Sequence, residues 1–302
     1  MSTVAVKRRR TSSKPQNKEQ VAIGRDAVGN VIVAGRGNQV EVTLIIADQR
    51  LLAKFAPQVD GLKGVENPFR GLDAFYETDT AWFFGRTKLV RSTWLLFESL
   101  QRGSDPRILA VVGASGSGKS SLVRAGLLPE LALQPMEGLT SPKVLVLRPG
   151  DAPLRRLAEA IGRLDPRSQD IEARLARPES DGTYRSLHRL CVEMAAQPRS
   201  KLIIVVDQFE ELFTECEDPT ARTAFLANLA TAASATDRLV SVILTLRSDF
   251  TSAVQSPAAF SDAVRKNRLM VRSMDRDELR SAIEQPAQRV IPPSPVANSS
   301  RR

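Results

Sequence analysis

Five apolar runs set the rhythm of this chain: Ile108-Leu-Ala-Val-Val112, Lys143-Val-Leu-Val-Leu-Arg148, Lys201-Leu-Ile-Ile-Val-Val-Asp207, Leu239-Val-Ser-Val-Ile-Leu-Thr-Leu-Arg247 and Arg268-Leu-Met-Val-Arg272. Each is nearly continuous in Val, Ile and Leu, the pattern of a strand buried on both faces. Between them apolar residues recur at three- and four-residue spacing, which predicts helices. These run from Thr87 to Gln101, Ser121 to Leu128, Asp151 to Gly162, Tyr184 to Ala196, Pro219 to Ala233 and Asp275 to Glu284. The polar stretch from Arg163 to Asp181 reads as loop plus helix, and a short helical region follows Arg247. In the first helix Leu89, Trp94, Leu95, Leu96 and Leu100 are the expected core contacts. Pro129 is expected to stop the second helix, and Pro286 stands just past the expected end of the last. Asp151 is the expected cap of the third, with Pro153 in its first turn, and Asp275 that of the last. Strands alternating with helices predict an α/β fold with a doubly wound, mainly parallel sheet.

The ends of the chain differ from this middle. Residues 1–20 are polar, basic and unpatterned, the composition of a disordered tail. Residues 21–47 alternate β-branched residues with Gly-Asn and Gly-Arg-Gly-Asn turns, which predicts a short β-rich strip. Such a strip is too short to bury a core by itself. It is expected either to pair edge to edge with copies of itself or to dock as an extra hairpin on the following domain. Residues 48–66 read as a linker with a short helix. Asn67 to Arg86 is dense in aromatics: Phe69, Phe75, Tyr76, Trp82, Phe83 and Phe84. The main domain is expected over 67–288, with a Pro/Ser-rich tail over 289–302.

The first apolar run ends in Gly113-Ala-Ser-Gly-Ser-Gly-Lys119-Ser120-Ser121, which fits the phosphate-binding loop pattern G-x-x-x-x-G-K-[ST]. Glycines let the backbone curl around an anion and aim successive N–H groups at it. The helix that follows adds the positive end of its dipole. Lys119 supplies a point charge for the β- and γ-phosphates, and Ser120 a hydroxyl for Mg²⁺. Gly113, Ser115, Gly116, Ser117, Gly118, Lys119, Ser120 and Ser121 are therefore the candidate nucleotide-binding set. Strand, glycine loop and helix follow in the required order. A dinucleotide fingerprint is excluded, because no third glycine falls at its offset.

Phosphate binding alone is not hydrolysis, which needs a metal anchor, an oriented water and a charge sensor. The third apolar run ends in Asp207, which places a carboxylate at the sheet edge as a second Mg²⁺ ligand beside Ser120. Glu210 and Glu211 follow, either of which suits the role of catalytic base. Arg247 ends the fourth run, placed to sense the γ-phosphate or to pair with Asp249. Arg86 follows Gly85 and is a candidate contact to the base and sugar, or a surface arginine at a helix start.

Composition excludes several other classes. Two cysteines without paired spacing, Cys191 and Cys216, make neither a disulfide framework nor a zinc site. The single histidine, His188, falls in a helical pattern with no ligand cluster around it. No apolar run has the length of a membrane span, and no apolar segment follows the basic N-terminus, so a cytoplasmic protein without a membrane span is expected. The net charge of +9 is a property of the ends. Residues 1–20 carry six basic residues against Glu19, Arg301 and Arg302 close the chain, and residues 21–300 carry only +2. The plain reading of that charge is a solvated, disordered tail, and the sharper one is weak, non-specific contact of the tail with nucleic acid or an anionic membrane.

Five motifs in order resemble the novel STAND NTPases of bacteria, which are often fused to WD-repeat propellers. They are Asn67-Pro-Phe-Arg-Gly-Leu with Phe83-Phe-Gly-Arg86, the loop and helix from Gly113 to Pro129, Leu147-Arg-Pro-Gly-Asp151, Val205-Val-Asp-Gln-Phe-Glu-Glu-Leu-Phe213 and Thr245-Leu-Arg-Ser-Asp-Phe250. The resemblance implies a signalling switch that binds ATP with Mg²⁺, hydrolyses it slowly and couples ATP/ADP state to self-association. It prefers ATP, and no guanine-reading Asn-Lys-x-Asp is present. Thr87 stands where the family usually has Glu, and the winged-helix and repeat regions expected after Pro286 are not recognisable. A shortened copy or a separate sensor or effector chain is the expectation. The alternatives are a nucleic-acid motor or loader and a non-hydrolysing nucleotide-binding scaffold.

Overall fold

The computed structural model describes residues 44–46, 67–71, 73–134, 142–166, 168–194 and 201–290. All five apolar runs form strands. They are β2 (Ile108–Gly113), β3 (Lys143–Leu147), β4 (Leu202–Val206), β5 (Val240–Arg247) and β6 (Arg268–Val271). The backbone of Leu44–Ile46 adds a short β1. The sheet order is β1-β3-β4-β5-β2-β6, antiparallel between β1 and β3 and parallel elsewhere. The fold is therefore α/β with a five-stranded parallel sheet, as the alternation predicted. The end of the β-rich strip lies on the β3 edge. The rest of the strip, the N-terminal tail, the linker and all but the first two residues of the final tail lie outside the described residues.

The helices among the described residues are α1 (Thr87–Arg102), α2 over 119–133, α3 (Pro153–Leu164), α4 (Ile171–Ala176), α5 (Ser186–Met194), α6 (Glu211–Thr214), α7 (Pro219–Ser234), α8 (Ala258–Lys266) and α9 (Arg276–Val290). They cover both faces of the sheet. Alternate residues of one strand divide between the two cores: Ile108, Ala110 and Val112 pack under α3, α5, α7 and α8, whereas Leu109 and Val111 pack under α1 and α2. Double-sided burial is why the strands read as continuous apolar runs and not as alternations.

Four local expectations need correction. The helix after the glycine loop does not stop at Pro129. It joins Lys119–Ser121, a π-helical Leu122–Leu127 and Leu128–Leu133 into one rod. The Leu128 N–H reaches five residues back to the Val123 carbonyl, so the ladder has already shifted when Pro129 arrives. Pro129 then sits in the first turn of the last segment, where a missing N–H costs little. The last helix likewise runs through Pro286 to Val290, and Pro286 is buried within it. The residue that caps α3 is Ala152, while Asp151 is ion-paired with Arg156 at 3.6 Å. In α1, Leu95 is 46% exposed, and Val90 and Phe97 take core places instead. Trp94, Leu95 and Leu96 span too much of the helix circumference for all three to face inward. As expected, Asp275 caps α9, its Oδ1 accepting from the N–H groups of Asp277 and Glu278.

Candidate nucleotide site

The chain's path through the sheet creates the site. From β2 it crosses past β5 and β4 to reach β3, then returns strand by strand and ends on the other side of β2 at β6. The carboxyl ends of β2, β4 and β5 therefore come together at the point where the winding reverses, where open α/β sheets bind ligands. Register fixes the details. Gly113 pairs with Arg247, and Val206 pairs with Leu244, which sets Asp207 beside Thr245.

The glycine loop turns tightly between β2 and α2, with φ of +70° at Gly116 and +89° at Gly118. Ser115, Gly116 and Gly118 lie on its exposed side. Lys119 is 8% exposed, and its Nζ donates to the Ala114 carbonyl at 2.8 Å. Burial lowers its pKa, and the nearby Glu210 and Asp207 carboxylates oppose that shift.

Ser120 Oγ donates to Asp207 Oδ1 at 2.7 Å. The same carboxylate oxygen accepts from Thr245 Oγ1 at 2.5 Å, and that hydroxyl in turn accepts from the Gln208 N–H at 2.8 Å. Gln208 takes a positive φ of 52°, which turns the chain sharply after Asp207. Thr245 is fully buried and was missed in the sequence, because a threonine in a strand ordinarily signals only β-propensity. Ser120 and Asp207 present hard oxygen donors side by side, the donor type that suits Mg²⁺. Among the described residues there is no cluster of three or more His, Cys, Asp or Glu that could hold a metal. The pair therefore fits a metal that takes its other ligands from phosphate and water.

The two glutamates separate in space. Glu210 Oε2 accepts from the Arg247 N–H at 3.2 Å, on the Lys119 side. Glu211 lies 3.4 Å from Arg148, at the end of β3, and is bonded by the Gly150 backbone. Burial pushes the Glu211 carboxyl up to about 7, against the pull of Arg148 and with the help of Glu215. The Arg247 guanidinium is paired with Asp249 at 2.7 and 3.2 Å and lies over the Phe250 ring. Asp249 raises its pKa.

Three candidates face elsewhere. Ser121 Oγ accepts from the Phe75 N–H at 3.0 Å and ties the aromatic segment to α2. Ser117 Oγ is buried without a hydrogen-bond partner, against Gly113. Arg86 is 5% exposed and lies behind the loop. It donates to the Ser117 and Arg272 carbonyls at 3.4 and 2.8 Å and pairs with Glu278 at 3.3 Å. His188 pairs with Asp237 at 2.6 Å in a groove of about 1010 Å³. That groove includes Ala235 and Asp237, which precede β5, so it opens toward the opposite ends of the strands and is not part of this site.

The fold and site define a P-loop NTPase. A family profile for novel STAND NTPase 1 matches residues 68–291, more than half of the chain, and the chain belongs to that family. No curated protein sequence matches. Among solved structures, this chain is similar to the Aeropyrum pernix ORC2 protein in ADPNP–ADP complexes, with 16% identity, a TM-score of 0.50 and coverage of 67% of this chain and 52% of that one. The Aeropyrum pernix ORC1 protein in complex with DNA matches with 18% identity and a TM-score of 0.46, over 68% of this chain and 50% of that one. The C. elegans PCH-2 structure matches with 13% identity and a TM-score of 0.41, over 78% of this chain and 51% of that one. The chain spans about half the length of these structures, and at such identities the likeness concerns the fold alone. Among the described residues no helix is long and apolar enough to cross a membrane.

Proposed function

We propose that this chain is a cytoplasmic signalling switch that binds ATP with Mg²⁺, hydrolyses it slowly and couples nucleotide state to self-association. The observation that carries the reading is the convergence of Lys119, the Ser120–Asp207 pair and Glu210 at three adjacent strand ends. Lys119 and the loop N–H groups hold the β- and γ-phosphates. Ser120 and Asp207 would hold the Mg²⁺, which when bound would supply positive charge to the phosphates. Glu210 is the catalytic base, because it faces Lys119 while Glu211 is committed to Arg148 and Gly150. Glu211 serves as the wall that holds the loop after β3. Arg247 senses the γ-phosphate by exchanging Asp249 for it, a swap that leaves its N–H on Glu210.

Self-association follows from the family resemblance, as does a separate sensor or effector chain. In this reading 67–288 is the switch domain, and the strip over 21–47 either records assembly or docks on the core. The Arg247–Asp249 pair favours one competing reading, a scaffold that binds nucleotide without turnover.

The test is a nucleotide-content and turnover measurement on the purified protein, with size-exclusion chromatography in ADP and in a non-hydrolysable ATP analogue. Slow turnover and a larger species in the analogue are expected. Bound nucleotide without turnover selects the scaffold. No bound nucleotide and no affinity for Mg-ATP overturns the reading.

A further inference from the structure

Arg86 is a buried cation that the proposed chemistry leaves without a part. It stands between two elements remote in sequence. On one side its Nη2 donates to the Ser117 carbonyl of the glycine loop at 3.4 Å. On the other it donates to the Arg272 carbonyl at 2.8 Å, and its Nη1 lies 3.3 Å from Glu278 Oε2.

Glu278 belongs to the first turn of α9. Its Oε2 accepts from the Asp275 N–H at 3.1 Å while Asp275 Oδ1 accepts from the Glu278 N–H at 2.9 Å, a reciprocal capping box. Arg272 adds two contacts to its carboxylate at 3.1 Å. The backbone closes the same joint. Gly85 has φ +84°, and a Cβ there would lie 2.3 Å from the Glu278 carbonyl oxygen. Backbone and side chains thus seat the start of α9 directly on the turn that carries Arg86.

The peptide link from Ser117 to Gly118 is planar and trans, so its carbonyl and its N–H point in opposite directions. A guanidinium on the Ser117 carbonyl therefore leaves the Gly118 N–H pointing away from Arg86. It also polarises that N–H and makes it a better donor to an anion.

We propose that Arg86 and Glu278 are positioning residues for phosphate binding, which hold the Ser117–Gly118 peptide in its anion-facing orientation and tie that orientation to the seating of α9. The inference rests on the nucleotide-binding reading above. The coupling is reciprocal: phosphate in the loop steadies α9, and a seated α9 tightens phosphate binding.

The experiment combines nucleotide affinity with amide hydrogen exchange. Glu278→Gln keeps the shape and removes the charge. It is expected to weaken binding of Mg-ATP and of ADP about fivefold or more. Arg86→Lys is expected to do the same, and the double variant to be no weaker than the weaker single one, as for residues acting through one contact. In the unaltered protein the amides of Leu279 to Ala282 are expected to exchange more slowly with Mg-ATP bound, and Glu278→Gln to abolish that difference. Parent-like affinity in Glu278→Gln overturns the proposal. So do additive single effects, or exchange in α9 that is indifferent to nucleotide in the unaltered protein, a readout that needs no variant to fold. Failure of the unaltered protein to bind Mg-ATP sinks the functional reading itself, whereas binding without coupling sinks only this proposal.

Discussion

Ser120 Oγ and Asp207 Oδ1 are hydrogen-bonded at 2.7 Å although 87 residues separate them in the chain. One stands at the start of α2 and the other just past the end of β4, and β5 lies between their strands. Thr245, on that intervening strand, donates to the same carboxylate oxygen. The candidate metal corner is therefore a three-strand construction.

Replacing Asp207 by Asn keeps the size and removes the charge. Mg²⁺-dependent nucleotide binding is expected to weaken, while metal-independent ADP binding changes less. Thr245→Val leaves the Gln208 N–H without its acceptor and removes one of the two hydroxyls that donate to Asp207, the Ser120 Oγ remaining. An unsatisfied buried group costs about 1–3 kcal/mol. Thermal stability and Mg²⁺ affinity should fall together, and a normal melting temperature with normal Mg²⁺ affinity would contradict the geometry.

Lys119→Ala removes the buried cation at the loop. Affinity for ATP is expected to fall at least about tenfold, or roughly 1.4 kcal/mol. Titration calorimetry reads the change directly, and unaltered affinity would remove the phosphate-loop reading.

The glutamates should part company in turnover. Glu210→Gln is expected to spare ATP binding and lower the rate by about 10²- to 10⁴-fold, the usual weight of a general base. Glu211→Gln should lower it far less. The reverse order would assign the base to Glu211.

Glu211 also predicts a pH effect on stability. Its carboxyl is raised from 4.5 to about 7 in the folded chain, chiefly by burial. Folding therefore favours the protonated form. Its stabilising contribution is full below 4.5 and is lost as pH rises through about 7. Melting curves across that window should show the unaltered protein losing stability relative to Glu211→Gln as pH rises. Parallel curves would mean that the carboxyl is not raised.

Gly113→Ala tests the floor of the loop. A Cβ there would lie 2.7 Å from Ser117 Oγ and 2.8 Å from the Val271 carbonyl oxygen. The second contact is strand backbone and cannot rotate away. A loss of about 1–3 kcal/mol in stability is expected, typical of overpacking, together with weaker nucleotide binding. Full stability in denaturant melts would show that β6 yields at no cost.

The sequence by itself determined the strands, the sheet class and the phosphate loop. Burial on both faces demands continuous apolar runs such as Leu202–Val206, and a phosphate cradle demands glycines and a Lys-Ser pair at fixed spacing. These are local requirements, and local residues record them. The proline stops failed for the opposite reason. Whether Pro129 ends a helix depends on the ladder before it, and the π-helical turn at Leu122–Leu127 leaves no distinct composition. Only the tertiary structure separated Glu210 from Glu211, since the turn after Asp207 sends neighbouring side chains to Arg247 and to Arg148. Only it brought Thr245 onto Asp207 and Arg86 onto Ser117 and Glu278, partners 31 and 192 residues from Arg86 in the chain. Such contacts depend on strand order and register. Those are set by how the whole core packs and not by any one segment.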